Sequence, residues 1–198
     1  PIIDRILSEH MFYRYISSNI VLRGIAKFYI WLIRGTPMLV QAFYFYFALP
    51  QLVQAVTGSQ FRITVFTASL VTLALNAGAY ISEIFRGSIE SVNKGQMEAG
   101  RSLGLNKFQT MRYIIIPQAF KSILPPLGNE FIVLIKETSI VGYVGMSDLT
   151  RVANQMTSKL FDVFTPLLGI AFIYFVLTKV LSILLAKLER RLRKSDNR

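Results

Sequence analysis

The chain has 198 residues, of which 53% are hydrophobic, and a mean hydropathy of +0.45. It is too apolar for an ordinary soluble domain, and its apolar residues form long blocks, as in a protein of the lipid bilayer. The formal net charge of +11 is carried by basic residues between these blocks, which favours a membrane-orientation signal over a nucleic-acid partner. Because no cysteine is present, disulfide bonds, thiolate chemistry and cysteine-ligated metals are excluded.

Four apolar segments are long enough to cross about 30 Å of hydrocarbon at about 1.5 Å per residue. Basic residues are concentrated in the loop between the second and third segments and in the carboxy-terminal tail, which places both in the cytoplasm by the positive-inside rule. The sequence therefore predicts an all-α, polytopic membrane helix bundle. The predicted spans cover roughly residues 36–54, 63–85, 121–145 and 164–187, with 55–62 and 146–163 on the outer side.

The amino-terminal residues do not fit this pattern. Residues 1–18 are too short and too charged to cross a membrane, so this segment is unassigned, with the hypothesis that it is a fragment of a missing first span. Two interpretations of residues 20–34 are open: an amphipathic helix in the membrane interface, or the first half of a broken span that continues past residue 37. Residues 193–198 are predicted to be a basic cytoplasmic tail near anionic lipid headgroups.

The loop at 86–120 has a pattern of its own. Residues 96–103 can form a short helix, and Gly104 can end it in the left-handed conformation that glycine adopts without strain. The small residues Ala99 and Gly100 leave no side-chain bulk, so this helix can lie closely in a groove of another protein. We therefore predict a docking helix, the plain alternative being an ordinary helix-turn-helix loop.

The spacing in this loop resembles that of a known family. Glu98-Ala99-Gly100 is followed by three residues, then Gly104, then nine residues and the run IIIP that ends at Pro117. This pattern is similar to the EAA loop of permease subunits in ATP-binding-cassette (ABC) importers, although Gly100 stands where the family has its second alanine. The runs RGTP-x-x-x-Q at 34–41, GNEF at 128–131 and KETS at 136–139 resemble the polar amino acid uptake branch, so the resemblance covers about residues 19–192.

The resemblance implies the type I ABC importer permease fold, with five spans and the amino terminus outside, in the bacterial cytoplasmic (inner) membrane. It also implies partners: an extracytoplasmic amino acid-binding protein, separate ATPase subunits that carry ATP and Mg, and a second permease subunit, identical or paralogous. Nucleotide-driven closure of the ATPases would move the EAA loops and give alternating access. The residues implied in ATPase coupling are Glu98, Ala99, Gly100, Arg101, Gly104 and Pro117.

The motifs of an enzyme are missing from the sequence. It contains no phosphate loop of the form GxxxxGK[ST], so the chain is not expected to bind ATP in that manner. It also lacks metal-ligand spacing and a GxSxG nucleophile elbow. We therefore predict a pore subunit that is not an enzyme, without catalytic residues, metal or cofactor of its own.

Polar groups inside apolar spans are candidates for substrate contact, because they are costly unless they face a cavity or a partner. Glu130 and Glu137 are two turns apart and share a face of their helix. Lys136 is expected to neutralise Glu130 or a carboxylate of a neighbouring subunit; a structural ion-pair cluster is the alternative. Glu83 is expected to pair with Arg86. The candidates for substrate contact are Gly35, Thr36, Gln41, Asn76 and Glu137, then Glu130 and Lys136.

The helix that follows the RGTP run offers two interpretations. Its first backbone N–H groups and the positive end of its dipole can hold an anionic group of a substrate, or it is a simple helix start at the membrane surface. Taken together, the residues predict the permease subunit of an ATP-driven importer of polar or charged amino acids. The alternative is a secondary transporter or channel that works without an ATPase, which would need no docking loop.

Overall fold

The computed structural model describes residues 19–196, with side chains through residue 190. Within this range every regular element is a helix, so the all-α prediction is confirmed. The interpretations of residues 1–18, and the last two residues of the predicted tail, lie outside the described residues.

The first part of the described chain forms three long helices. The side chain of Asn19 accepts a hydrogen bond from the Val21 amide and starts the first of them. Gly58, with φ at 69°, ends the second in the left-handed conformation, as a glycine cap permits. These helices are α1 (Ile20–Gly35), α2 (Met38–Thr57, with a π-helical stretch at Tyr44–Ala48) and α3 (Val65–Glu90).

The second part begins with a short helix in the predicted loop. The next helix is long and is followed by a 3-10 helix, Thr138–Val144. The last helix continues past residue 187 to Asp196, which is part of the predicted tail. These helices are α4 (Lys94–Ser102), α5 (107–137, with a π-helical stretch at Met111–Ile115), α6 (Leu149–Leu160) and α7 (Phe164–Asp196).

Three described helices are long and apolar enough to cross a membrane: Met38–Thr57, Val65–Glu90 and Phe164–Arg190. The predicted span at 121–145 is not among them. Its α-helix ends at Glu137 and the chain goes on as a 3-10 helix, and α5 carries four charged residues between 121 and 137. α5 packs against α3 and α7, and these neighbours can shelter its charged residues from lipid.

α5 and α7 pack closely at Gly128. A Cβ atom at this position would overlap the side chain of Leu185, so only glycine fits without a shift of that side chain. Elsewhere a small core of Ala42, Val141 and Val144 joins α2 to the 3-10 helix. The bundle is therefore held together around α5, and these contacts position the polar residues discussed next.

Candidate functional site

The predicted docking helix is present and is capped at both ends. The side chain of Asn93 accepts a hydrogen bond from the Gly95 amide at 2.8 Å. At the other end the Gly104 amide donates to Arg101 at 3.0 Å and the Leu105 amide to Gly100 at 3.2 Å, the two bonds of a Schellman motif. Gly104 has φ at 84°. The predicted left-handed end of this helix is confirmed.

Gly100 packs against another helix of the same chain, whereas its small size predicted a surface open to a partner. It is buried, and a Cβ atom there would lie 2.5 Å from Cγ2 of Thr110 and 2.9 Å from Cδ1 of Ile114. The expectation that both small residues leave an open groove-facing surface is therefore wrong for Gly100, since the missing side chain admits α5. Ala99 is exposed and keeps that interpretation.

The remaining coupling candidates are on the surface of the loop. Glu98, Ala99, Arg101, Gly104 and Pro117 are all exposed. Beside them lie two large apolar side chains that the sequence reasoning missed: Leu103 is 80% exposed and Phe108 is 72% exposed. Their signal was present in the sequence, because both flank the glycine turn.

The break between α1 and α2 is held by one side chain. Thr36 and Pro37 are extended, and Pro37 is the cap before α2. Nε2 of Gln41 donates to the carbonyl of Ile33 at 2.8 Å, to the carbonyl of Thr36 at 3.0 Å and to its hydroxyl at 2.9 Å. Proline has no N–H to offer a helix carbonyl, so Gln41 supplies the missing donor.

This arrangement limits what the first group of candidates can offer a substrate. Gln41 is 7% exposed, and its amide nitrogen and the Thr36 hydroxyl are occupied within the break, whereas Oε1 of Gln41 is buried without a partner in the described part of the chain. Asn76 lies on a buried polar stripe of α3 with Ser69 and Thr72, and its Oδ1 is likewise unpartnered there. Gly35 is exposed at the end of α1.

The charged candidates of α5 do not form the expected internal pair. Glu130 is buried and Glu137 half-buried, and Oε2 of Glu137 has no hydrogen-bond partner among residues 19–190. Lys136 is exposed, and within those residues it forms no ion pair with Glu130. Among the described residues Lys136 therefore does not pair with Glu130, and its pairing with a carboxylate of a neighbouring subunit stays a prediction.

An ion-pair network joins α1 to the end of α3. Arg86 donates to both oxygens of Glu83, at 3.0 and 2.9 Å, which confirms that predicted pair, and to Glu90 at 2.8 Å. Arg34 reaches the same carboxylate of Glu83 at 3.0 Å. The sequence reasoning missed Glu90, which its spacing of four from Arg86 could have indicated. It also missed Arg34, for which no sequence signal exists.

Comparison with known proteins gives consistent results. A family model described as "Binding-protein-dependent transport system inner membrane component" matches residues 11–194. The glutamine transport system permease protein GlnP of Escherichia coli (strain K12) is 43% identical over 169 residues, which are 85% of this chain and 75% of that protein. The arginine transport system permease protein ArtQ of Bacillus subtilis (strain 168) is 40% identical over 172 residues, 87% of this chain and 76% of that protein.

Solved structures show the same likeness. A structure titled "Crystal structure of an amino acid ABC transporter with histidines" superposes with a TM-score of 0.82 at 45% identity and covers 93% of this chain and 84% of its own. An inward-facing form of the MetNI methionine ABC transporter superposes with a TM-score of 0.67 at 17% identity, covering 88% and 77%. At that identity the second likeness concerns the fold alone.

Proposed function

The chain belongs to the family of binding-protein-dependent transport system inner membrane components, and we propose that it is the permease subunit of an ATP-driven importer of polar or charged amino acids. Its fold is that of ABC importer permeases. The bacterial cytoplasmic membrane is the proposed location, where the chain pairs with a second permease subunit, identical or paralogous. A binding protein on the outer side delivers the amino acid.

The observation that carries this proposal is the capped, exposed helix α4. A helix fixed at both ends by its own caps is a rigid body that a partner can displace without unfolding it. Since the sequence has no phosphate loop, the proposed partner is a separate ATPase subunit, which supplies ATP and Mg. The permease itself performs no chemistry in this proposal.

Displacement of α4 has two routes into the bundle. Three residues join it to the end of α3, and Gly100 packs directly on Thr110 and Ile114 of α5. A movement of α4 is therefore transmitted to α3 through the connecting residues and to α5 through direct packing. These two helices carry Asn76, Glu130 and Glu137, so the same movement reorients the proposed substrate contacts, as alternating access requires.

The chemistry of the proposed contacts favours a substrate that donates hydrogen bonds. The buried, unpartnered side-chain atoms of Gln41, Asn76 and Glu137 are all oxygens. Oxygen acceptors suit the ammonium group of an amino acid, or a guanidinium, amino or amide side chain. Relatives named for glutamine and arginine transport support the same class.

Reconstitution tests the proposal against a transporter that works without an ATPase. The chain is placed in liposomes with the ATPase and binding protein encoded by neighbouring genes, and uptake of labelled glutamine, arginine, histidine and glutamate is measured, with leucine as the apolar control. We expect uptake only with ATP, ATPase and binding protein together. Uptake driven by an ion gradient without ATP would refute the importer and favour the secondary transporter.

The orientation is tested by cysteine labelling, which the cysteine-free chain makes clean. We expect an impermeant maleimide to label Gly58→Cys and Ser158→Cys in whole cells, and Ser195→Cys only after lysis. The reason is the concentration of basic residues in the tail and in the α3–α5 loop. Labelling of intact cells at 195 would reverse the proposed orientation.

A further inference from the structure

Four charged side chains form a connected series from the end of α3, beside the α4 loop, to the end of α1, beside the break: Glu90, Arg86, Glu83 and Arg34. Oε2 of Glu83 accepts from Arg34 at 3.0 Å and from Arg86 at 2.9 Å, and Arg86 continues to Glu90 at 2.8 Å. The guanidinium of Arg34 also lies over the ring of Tyr80, 5.3 Å from its centroid. Glu83 is thus paired with arginines of two helices, Arg34 of α1 and Arg86 of α3.

One part of this network is better shielded from water than the other. The side chains of Glu83 and Arg86 are 18% and 10% exposed, so water competes weakly for their mutual hydrogen bonds, whereas the Arg34 side chain is 41% exposed. The fork of Arg86 grips Glu83 with two nitrogens, the bidentate arrangement that fixes orientation as well as distance. Arg34 is held twice, by the carboxylate and by the face of Tyr80, which a lysine would not match.

The two ends of the network meet the moving parts of the proposed transporter. Glu90 is the last residue of α3, and α4 begins four residues later at Lys94. Arg34 is the residue before Gly35, and the Gln41 amide fastens the same turn of α1 to α2 through Ile33 and Thr36. Side-chain ion pairs therefore lead from the end of α3 to Arg34, and the backbone from Arg34 to Thr36 leads on to the hydrogen bonds of Gln41 at the start of α2.

We propose that Arg34 and Glu83 are positioning residues that make the α1–α2 break move together with α3 when α4 is displaced. This rests on the proposed function and adds a part to it: the break, with Gln41, is coupled to ATP hydrolysis through the ion pair and not through the backbone alone. Neither residue contacts the substrate. Each acts by holding two helices in one rigid unit.

The decisive measurement is the number of amino acid molecules taken up per ATP hydrolysed in the reconstituted complex. Arg34→Gln removes the cross-helix pair, and we expect this ratio to fall about fivefold or more, the lower range of measured coupling between sites, while stimulated hydrolysis persists. The matched control is Arg23→Gln on the same helix, because Arg23 forms no ion pair within residues 19–190. It should keep the wild-type ratio.

A double variant separates coupling from stability. Arg34→Gln with Glu83→Gln leaves no stranded cross-helix charge, and Arg86 keeps Glu90, so assembly should recover relative to either single variant. We expect the ratio to stay low in this assembled complex. A wild-type ratio in it, or its failure to assemble, would reduce the pair to a structural role and overturn the inference. If the wild-type complex shows no ATP-driven uptake, the proposed function itself fails.

Discussion

The α4 loop and the α1–α2 break solve the same problem, a helix end that must be satisfied, in opposite ways. The loop uses neighbours in sequence: Asn93 caps one end of α4 and a Schellman turn at Gly104 caps the other. The break uses Gln41, whose amide reaches back eight residues to Ile33. The first solution can be recognised in sequence, whereas the second depends on how α1 and α2 fold against each other.

The difference also separates a surface from an interior. The local caps satisfy the ends of α4 and leave most of its side chains exposed, which suits a helix that meets a partner. In the break, the amide nitrogen of Gln41 hydrogen-bonds to the backbone and to the Thr36 hydroxyl. Only Oε1 of Gln41 is left there without a partner in the described chain. A motif of polar residues is thus not by itself a set of ligands, because part of it holds the backbone.

Gly104→Asp disrupts the local glycine cap of α4 and is expected to have the largest effect. The left-handed backbone resists a side chain, and the new carboxylate lies on the proposed docking surface. We expect ATP hydrolysis by the complex to fall to that of the ATPase alone. Gly58→Asp is the matched control, because Gly58 is also left-handed, with φ at 69°, and open but lies in the loop before α3. Full stimulation in Gly104→Asp would contradict the coupling role of this turn.

Glu137→Gln probes the interior without altering its shape. A charge-assisted hydrogen bond contributes about 1.5–3 kcal/mol, so we expect uptake to weaken about tenfold or more while stimulated hydrolysis survives. Glu189→Gln on α7 is the control. Normal uptake kinetics, or a loss fully explained by lower yield of the complex, would remove Glu137 from the substrate path.

Gly128→Ala tests the interior through packing. The added methyl overlaps Leu185, and overpacking of this kind costs about 1–3 kcal/mol, so the melting temperature of the purified complex should fall. Gly87→Ala adds the same methyl to an open helical position and should be neutral or slightly stabilising. The pair Gly128→Ala with Leu185→Ala should recover part of the loss; no recovery would place the cause elsewhere.

Gln41→Met removes the amide that hydrogen-bonds across the break, with little change in side-chain volume. One buried carbonyl, that of Ile33, loses its donor, and an unsatisfied buried group costs about 1–3 kcal/mol. We expect a modest loss of thermal stability, measured beside Gln51→Met, an exposed position of α2, as control. Equal stability of the two variants would show that the amide is not what fastens the break.

Much of the fold could be predicted because it follows from local patterns. Long apolar blocks indicated α2, α3 and α7, and Gly104 indicated where α4 ends, whereas α4 begins at Lys94, two residues before the predicted start at 96. The predicted span at 121–145 is not among the helices that qualify by length and hydropathy, because α5 carries charged residues and hydropathy does not report the helices packed around them. Of the candidate site, Gln41, Asn76 and Glu130 are buried whereas Gly35 and Lys136 are exposed, and the hydrogen bonds of Gln41 could not be derived from spacing.

By itself the sequence determined the class of the molecule, the family resemblance and the glycine end of α4, because these depend on composition and on residues a few positions apart. Only the tertiary structure decided why Gly100 and Gly128 are glycines, since the reason is a side chain on another helical segment. It alone brought Arg34 to Glu83, 49 positions apart by their numbers, and turned Gln41 toward Ile33. Contacts between distant residues are fixed by helix packing, which no local spacing encodes.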